Sequence, residues 1–369
     1  MSHPLADWHE RRGGHLVPVP GSAIDDANPA VRPQQWVASY PGTTPSEPFD
    51  PQHHVALVDR SWTGRLELVG EDRHRFLNGL VTCDTSEQAL PAGAVRYGYF
   101  TDGRGRVMAD TLVLSLLDRI WLELPAGRQK LVRQHLEKYI VADRVDVRPL
   151  GDFVSLALVG SRVCERVRQA YGLEADALTA AGTVRLGTTE LFVHPHPRLG
   201  VPAVQIWVSS GIAEPVVEDL QAGLDLSPIG NADLEPFRVC EGVPFWGVDF
   251  DEGNLPGELA VEGAVDYDKG CYLGQEVVAR MHYRGRPAQE LRRVHGQGPP
   301  PEAGAELVAA AAGETAPGRP GRIKSAVADP RDPAAWAGLA MLPKALLDEE
   351  TLTLEGRPVR VVARPSAVR

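Results

Sequence analysis

A single thiol between a cation and a carboxylate is the arrangement in this chain most able to do chemistry: Lys269-Gly270-Cys271-Tyr272-Leu273-Gly274-Gln275-Glu276. A thiolate forms at neutral pH when a positive charge or a helix N-terminus lies near it. Lys269 supplies the charge. A helix beginning near Gly274 supplies the second, because Gln275 to Arg280 are mostly good helix formers and Glu276 suits a first turn. Glu276 opposes the thiolate unless it pairs with Arg280, four residues on along the same helix face. Two readings of Cys271 stand: a packed small hydrophobe, where most free cysteines go, or a reactive sulfur in a polar loop flanked by glycines.

Other residues carry weaker signals. Asp110 ends Gly105-Arg106-Val107-Met108-Ala109-Asp110 and either caps a turn, pairs with Arg106, or offers a carboxylate to a ligand. Arg104, Arg106, Arg280, Arg284 and Arg286 either hold an anionic ligand or are solvated surface charges. His194-Pro195-His196 places two imidazoles together without a third ligand, which favours a prolyl-stiffened loop over a metal site. His53-His54 reads as a strand lead-in. Gly103-Arg104-Gly105 lacks the spacing of a phosphate loop.

The chain has 369 residues, enough for two or three domains, with 43% hydrophobic and 24% charged residues. Its balance of 38 basic against 49 acidic residues, a net charge of -11, argues against sequence-independent nucleic-acid binding and leaves room for a local basic patch. The cysteines, Cys83, Cys164, Cys240 and Cys271, form no CxxC pair, so a structural zinc or self-contained iron–sulfur site is not expected. No apolar run has the length of a membrane span, and the N-terminus lacks a signal-peptide pattern. The cytoplasm is the compartment expected.

The octapeptide around Cys271, with Val277-Val278-Ala279-Arg280, resembles the signature of the YgfZ family of folate-binding proteins. These are relatives of the glycine cleavage T-protein, associated with iron–sulfur proteins. Asp59-Arg60-Ser61, Leu66 to Asp72, Phe76 to Asp84 and Gly103 to Asp110 are similar to the family's opening elements. Arg238 to Pro244 and Leu255 to Leu259 match what precedes its cysteine motif. The resemblance covers residues 54 to 366, and the first fifty residues have no counterpart by inspection.

It implies an α+β fold, a T-protein-like ring of two mixed modules plus a small C-terminal β-barrel. It implies tetrahydrofolate, or a one-carbon derivative of it, as cofactor. Iron–sulfur proteins or their assembly factors are the implied partners. The expected function is support of iron–sulfur enzymes, with Cys271 and Lys269 at the reacting thiol. Asp110, Arg106, Gln275, Glu276, Arg280 and Arg284 are the expected folate contacts. T-proteins carry two adjacent aspartates where this chain has Ala109 and Asp110, which counts against aminomethyl transfer. A folate-dependent one-carbon transferase and a non-catalytic folate-responsive adaptor are the rival readings.

The elements that must position these residues follow from periodicity. Residues 1–53, rich in proline, glycine and polar residues, suggest an irregular arm pinned at Trp8, Trp36 and Tyr40. From residue 54 to 290 strands and helices mix, dividing near 150. Strands are predicted at Val55–Val58, Leu66–Val69, Tyr97–Phe100 and Phe153–Val159. A hairpin is predicted over Val107–Leu117 and Ile120–Leu124, and helices at Glu71–Leu80 and Arg128–Val141. Ser161 is placed to cap a further helix. Strands at Leu191–Val193 and Val204–Val208 and helices at Glu214–Ala222 and Asn231–Glu241 follow. Such order argues against a doubly wound dinucleotide fold. Over residues 291–369, a Pro/Gly linker at Gly296–Gly304 precedes five turn-separated β-prone runs that suggest the barrel.

Overall fold

In the computed structural model, which describes residues 5–20, 35–40, 49–173, 175–186, 189–310 and 319–366, the chain forms two units whose sequences interleave. The first takes residues 1–78, 85–97 and 111–234, and the second takes 79–84, 98–110 and 235–369. In chain order come α1 (Ala6–Arg11), β1 (His15–Pro18), β2 (Gln35–Ser39), β3 (Ala56–Asp59), β4 (Gly64–Val69) and α2 (Arg73–Asn78). Next are β5 (Val95–Thr101), β6 (Val107–Ser115), β7 (Arg119–Leu124), α3 (Gln129–Tyr139), β8 (Asp146–Pro149) and β9 (Phe153–Val159). Then follow α4 (Val163–Tyr171), β10 (Gly182–Leu186), β11 (Thr189–Pro195), β12 (Ala203–Ser209), α5 (Ala213–Leu224), β13 (Ser227–Pro228) and α6 (Asn231–Glu241). Last are α7 (Pro256–Leu259), α8 (Gln275–Arg284), β14 (Gln289–Gln297), β15 (Glu306–Ala309), β16 (Gly321–Asp329), β17 (Asp332–Pro343), β18 (Thr351–Leu354) and β19 (Arg357–Ala363).

The first unit holds a six-stranded sheet, ordered β10-β11-β12-β9-β3-β13, in which only the short β13 pairs in parallel. Its β9 is covered on both faces, and strict alternation sorts the side chains. Val154, Leu156 and Leu158 turn to an apolar core with Val193, Ile206 and Val208, closed by Val167 of α4 and Val217 and Leu220 of α5. The opposite face carries Ser155, His194, Gln205 and Trp207, all buried. It meets β7 of the five-stranded sheet β5-β6-β7-β4-β8, where the Trp121 and Trp207 rings stack at 5.2 Å. A buried polar layer thus lies between the two sheets of this unit.

The arm departs from expectation. Instead of an irregular segment it has α1 and an antiparallel β1–β2 pair. Trp8 is 1% exposed, and Tyr40 is buried with its hydroxyl 2.5 Å from His9 Nδ1. His9 Nε2 lies 2.7 Å from the Asp59 carboxylate. Trp36 packs edge-on against Trp62 at 5.5 Å. Short polar runs hid the helix, because its fixed face is set by Asp59 and Tyr40, distant in sequence. Ser161 also differs: its hydroxyl donates to the Gln52 carbonyl (3.0 Å), and Arg162 occupies the N-cap of α4.

In the second unit β14-β17-β16-β15-β18-β19 close into a barrel, and the mixed sheets and barrel are those the family resemblance implies. Val294, Leu307, Ile323, Trp336, Ala340 and Leu352 fill the barrel. Its first strand, β14, was not foreseen. Glu290, Arg292 and Arg293 mask its alternation, yet Glu290 is 3% exposed and held by Arg292 and by Arg364 at 2.9 Å. No helix among the described residues is long and apolar enough to cross a membrane.

Candidate functional site

The loop carrying Cys271 is braced on both sides within the second unit. Thr82 is the hub. Its hydroxyl donates to the Ala264 carbonyl (2.7 Å) and accepts the Tyr99 N–H (2.9 Å), and its carbonyl accepts the Asp266 N–H (2.9 Å). Asp266 then turns the chain, with Oδ1 accepting the N–H groups of Asp268 and Lys269, each at 2.9 Å. Beyond the cysteine, the Leu273 N–H reaches the Gly79 carbonyl (3.0 Å), and the Leu273 carbonyl accepts the Thr101 hydroxyl (2.6 Å).

Two glycines let this loop meet the hairpin between β5 and β6. Gly274 sits at φ +82°, and a Cβ there would lie 2.6 Å from the Asp102 carbonyl oxygen and 2.9 Å from Gly105 Cα. Gly105, at φ +75°, packs against Val277, 3.1 Å from where its own Cβ would stand. The Gly-Arg-Gly turn and the cysteine motif are therefore one packing unit, and left-handed backbone with close approach is what glycine permits.

Cys271 is exposed, whereas Cys83 and Cys240 are buried and Cys164 is half-buried; all four are free thiols. Burial pushes the Cys240 thiol up to about 11 and raises that of Cys164. Lys269 is turned inward. Its ammonium donates to the carbonyls of Val81 (2.8 Å) and Cys83 (2.6 Å) and stands 5.3 Å from the Tyr272 ring centroid. Burial pulls it down to about 8, against the opposing pull of Cys83, Asp84 and Asp266. The ammonium expected beside the sulfur thus donates to two backbone carbonyls of the 79–84 segment. Tyr272 fills the space beneath, 6% exposed, its phenol raised by burial.

The other candidates divide. Helix α8 begins at Gln275 with Gly274 as N-cap, and the Gln275 N–H donates to the Tyr272 carbonyl (3.1 Å). Glu276 and Arg280 form the i,i+4 ion pair at 2.5 Å, with side chains 84% and 60% exposed, so neither is enclosed in a cavity. Asp102 Oδ1 gathers the N–H groups of Arg104 (2.8 Å) and Arg106 (2.9 Å), and Arg106 Nη1 donates to the Gly253 carbonyl (2.8 Å). Arg286 pairs with Asp348. The Arg284 side chain lies outside the described residues. Asp110 is half-buried on β6, next to the fully buried Ala109.

His194-Pro195-His196 is not a loop. His194 and Pro195 end β11, and alternation sends both imidazoles into the inter-sheet layer of the first unit. His196 Nδ1 accepts the Arg198 N–H (3.3 Å), and its Nε2 faces both Glu123 Oε1 at 3.5 Å and Arg60 Nη2 at 3.4 Å. Arg60 reaches the same carboxylate at 3.3 Å. No metal-binding group of three such residues occurs among the described residues. Also unforeseen was Asp249, fully buried, which accepts from Arg238 (2.6 Å), the Phe245 N–H (2.8 Å) and the Ser325 hydroxyl (2.6 Å). Asp249 lies in a loop with no periodicity, and only the neighbouring Arg238 motif hinted at it.

The sequence profile of the GCVT N-terminal domain matches residues 5–269, so the first fifty residues, without a counterpart by inspection, lie largely inside it. The tRNA-modifying protein YgfZ of Colwellia psychrerythraea is 24% identical over 237 residues, 64% of this chain and 70% of that protein. The human mitochondrial iron–sulfur cluster assembly factor IBA57 is 27% identical over 257 residues, 65% of this chain and 66% of that one. The mitochondrial aminomethyltransferase of Gallus gallus is 27% identical over 270 residues, 70% and 64% respectively. The crystal structure of the glycine cleavage system aminomethyltransferase T from Bartonella henselae shares the fold, with TM-score 0.82 at 22% identity, over 98% of this chain and 97% of that one.

Proposed function

Because this chain belongs to the GCVT N-terminal domain family, we propose that it binds a reduced folate and supports iron–sulfur cluster enzymes through the Cys271 thiol. The observation that carries this reading is the exposed sulfur on a loop braced from residues 79–83 and 101. Similarity to the iron–sulfur cluster assembly factor supports the process, and similarity to the aminomethyltransferase supports the cofactor. Bound tetrahydrofolate supplies a one-carbon carrier. Asp110 fits its pterin, because a half-buried carboxylate accepts paired N–H donors from an amide and an exocyclic amine. The exposed Arg104 and Arg106 at the same hairpin fit the anionic glutamyl tail.

The chain's own part is to hold Cys271 in the open while Lys269 and Thr82 fix its backbone. Titration with tetrahydrofolate tests the first half. A thermal shift is expected, since ligand stabilises the native state by mass action, and its absence at millimolar ligand would sink folate binding. Alkylation at neutral pH, read by mass spectrometry, should label Cys271 first. Cys271→Ser should keep folate binding and lose support of iron–sulfur enzyme activity in cells. Full support by that variant would leave the adaptor reading. One-carbon transfer is the second reading, favoured by the aminomethyltransferase similarity and opposed by Ala109 beside Asp110.

A further inference from the structure

The barrel of the second unit carries a concave site that the folate reading does not use. On its outer wall, Gln289 at the start of β14 pairs with Pro343 at the end of β17, and Arg322 of β16 pairs with Met341. Alternation along β16 buries Ile323 in the barrel and sends Arg322 and Lys324 outward. Facing this wall, Asp251, Gly253 and Asn254 form a rim, and wall and rim border about 210 Å³. The rim is preformed. Asp251 Oδ1 accepts the Gly253 N–H (2.7 Å), Asn254 Oδ1 accepts the Asp251 N–H (3.2 Å), and Asn254 Nδ2 donates to Glu258 (3.0 Å).

Three cations converge there: Arg319, Arg322 and Lys324. Arg322 is shared with Glu306 at 2.6 Å, whereas no carboxylate among the described residues pairs with Arg319 or Lys324. In a chain of net charge -11, such a concentration on one concave wall attracts an anion. Two guanidinium forks with an ammonium suit the several oxygens of a phosphate. Asp251 is the one carboxylate among the described lining residues, and its carboxylate repels a bare anion on that side while accepting an O–H. Met341 and Pro343 offer an apolar floor. A ligand matching all three has a phosphate, an adjacent hydroxyl and an apolar ring face.

We propose that this cleft binds a ribonucleotide, with its phosphate on Arg319, Arg322 and Lys324 and a sugar hydroxyl on Asp251. The ribonucleotide is either free or a unit of an RNA strand. The test titrates the full chain with AMP, adenosine, 2′,3′-dideoxy-AMP and a short single-stranded oligoribonucleotide at low salt. AMP should bind, and adenosine, lacking the phosphate, should bind about tenfold or more weakly. Arg319→Ala with Lys324→Glu should weaken AMP by about tenfold or more, while thermal midpoint and tetrahydrofolate binding stay unchanged. Asp251→Ala, which removes the acceptor oxygens, should erase the preference for AMP over the dideoxy analogue.

Oligoribonucleotide binding tighter than AMP, with the same sensitivity to the variants, assigns the site to an RNA strand. Equal or weaker binding assigns it to the free nucleotide. Either result supports the proposal. No binding of AMP or oligoribonucleotide at millimolar concentration overturns it, and so does binding indifferent to the variants. Because folate binding is read on the same samples, its loss or retention is scored separately.

Discussion

Replacing Lys269 by methionine separates two things an ammonium in this loop can do. It removes two charge-assisted hydrogen bonds, to Val81 and Cys83, and leaves those carbonyls short of a donor. Each such bond contributes about 1.5–3 kcal/mol, so Lys269→Met should lower the unfolding midpoint clearly. The pH midpoint of Cys271 alkylation should stay where it is; a rise by about one unit would show the ammonium acting on the sulfur after all. The parent should also gain relative stability as pH climbs from about 8, its folded pKa, toward the unfolded lysine value, because the unfolded chain then holds the proton the folded one has shed. The variant should lack that rise. Gly274→Ala should cost about 1–3 kcal/mol, from left-handed backbone and from collision with Asp102, read by chemical denaturation. An unchanged midpoint would mean that the turn simply gives way. The motif, the helix start at Gln275 and the Glu276–Arg280 pair were legible because each is local. The partners of Lys269 were not, since residues 81 and 83 reach it only through the fold.

At the scale of elements, periodicity located most strands and helices of the first unit, and it failed where polar residues alternate inward. His194 and His196 occupy the same face of one strand run, and Pro195 between them ends β11 without interrupting the ladder. Read locally, the tripeptide is a turn; only the facing Glu123 and Arg60 make the face an interior one. That burial sets an acid response. Desolvation lowers His194 to about 4 and lowers His196 as well, so both are neutral in the fold while the unfolded chain protonates near its ordinary value of 6.5. Below about pH 6.5 the unfolded state therefore binds more protons, and stability falls as pH drops toward about 4, by about 1.4 kcal/mol per pH unit for His194, with His196 adding in the same direction. Glu123, held below its ordinary range by His196 and Arg60 despite its burial, adds to the loss at still lower pH. A His194→Gln, His196→Gln double variant should show a flatter unfolding midpoint between pH 6.5 and 4.5 than the parent, as set by those two shifts. Parallel curves for the two proteins would refute the assignment.

For the whole molecule, the mixed element order and the family resemblance pointed to the α+β class, and turn-separated β-prone runs to the barrel. The interleaving of the two units was not legible, because residues 79–84 and 98–110 join the second unit from inside the first half of the sequence. The place of the arm was hidden for a related reason: its helix is short, and its energy comes from what it touches. His9 lies 1% exposed between the Tyr40 hydroxyl and the Asp59 carboxylate, and Asn231 Nδ2 donates to the carbonyls of Val37 (3.1 Å) and Asp59 (3.3 Å). These bonds tie α1 and β2 to β3, so the arm belongs to the cooperative core of the first unit. His9→Ala takes a partner from a buried carboxylate, a loss of about 1.5–3 kcal/mol, and it opens space beside Trp8. Calorimetry should then show the main unfolding transition itself moving to lower temperature. An appendage would behave otherwise: the main transition would stay in place and a small, separate one would appear below it.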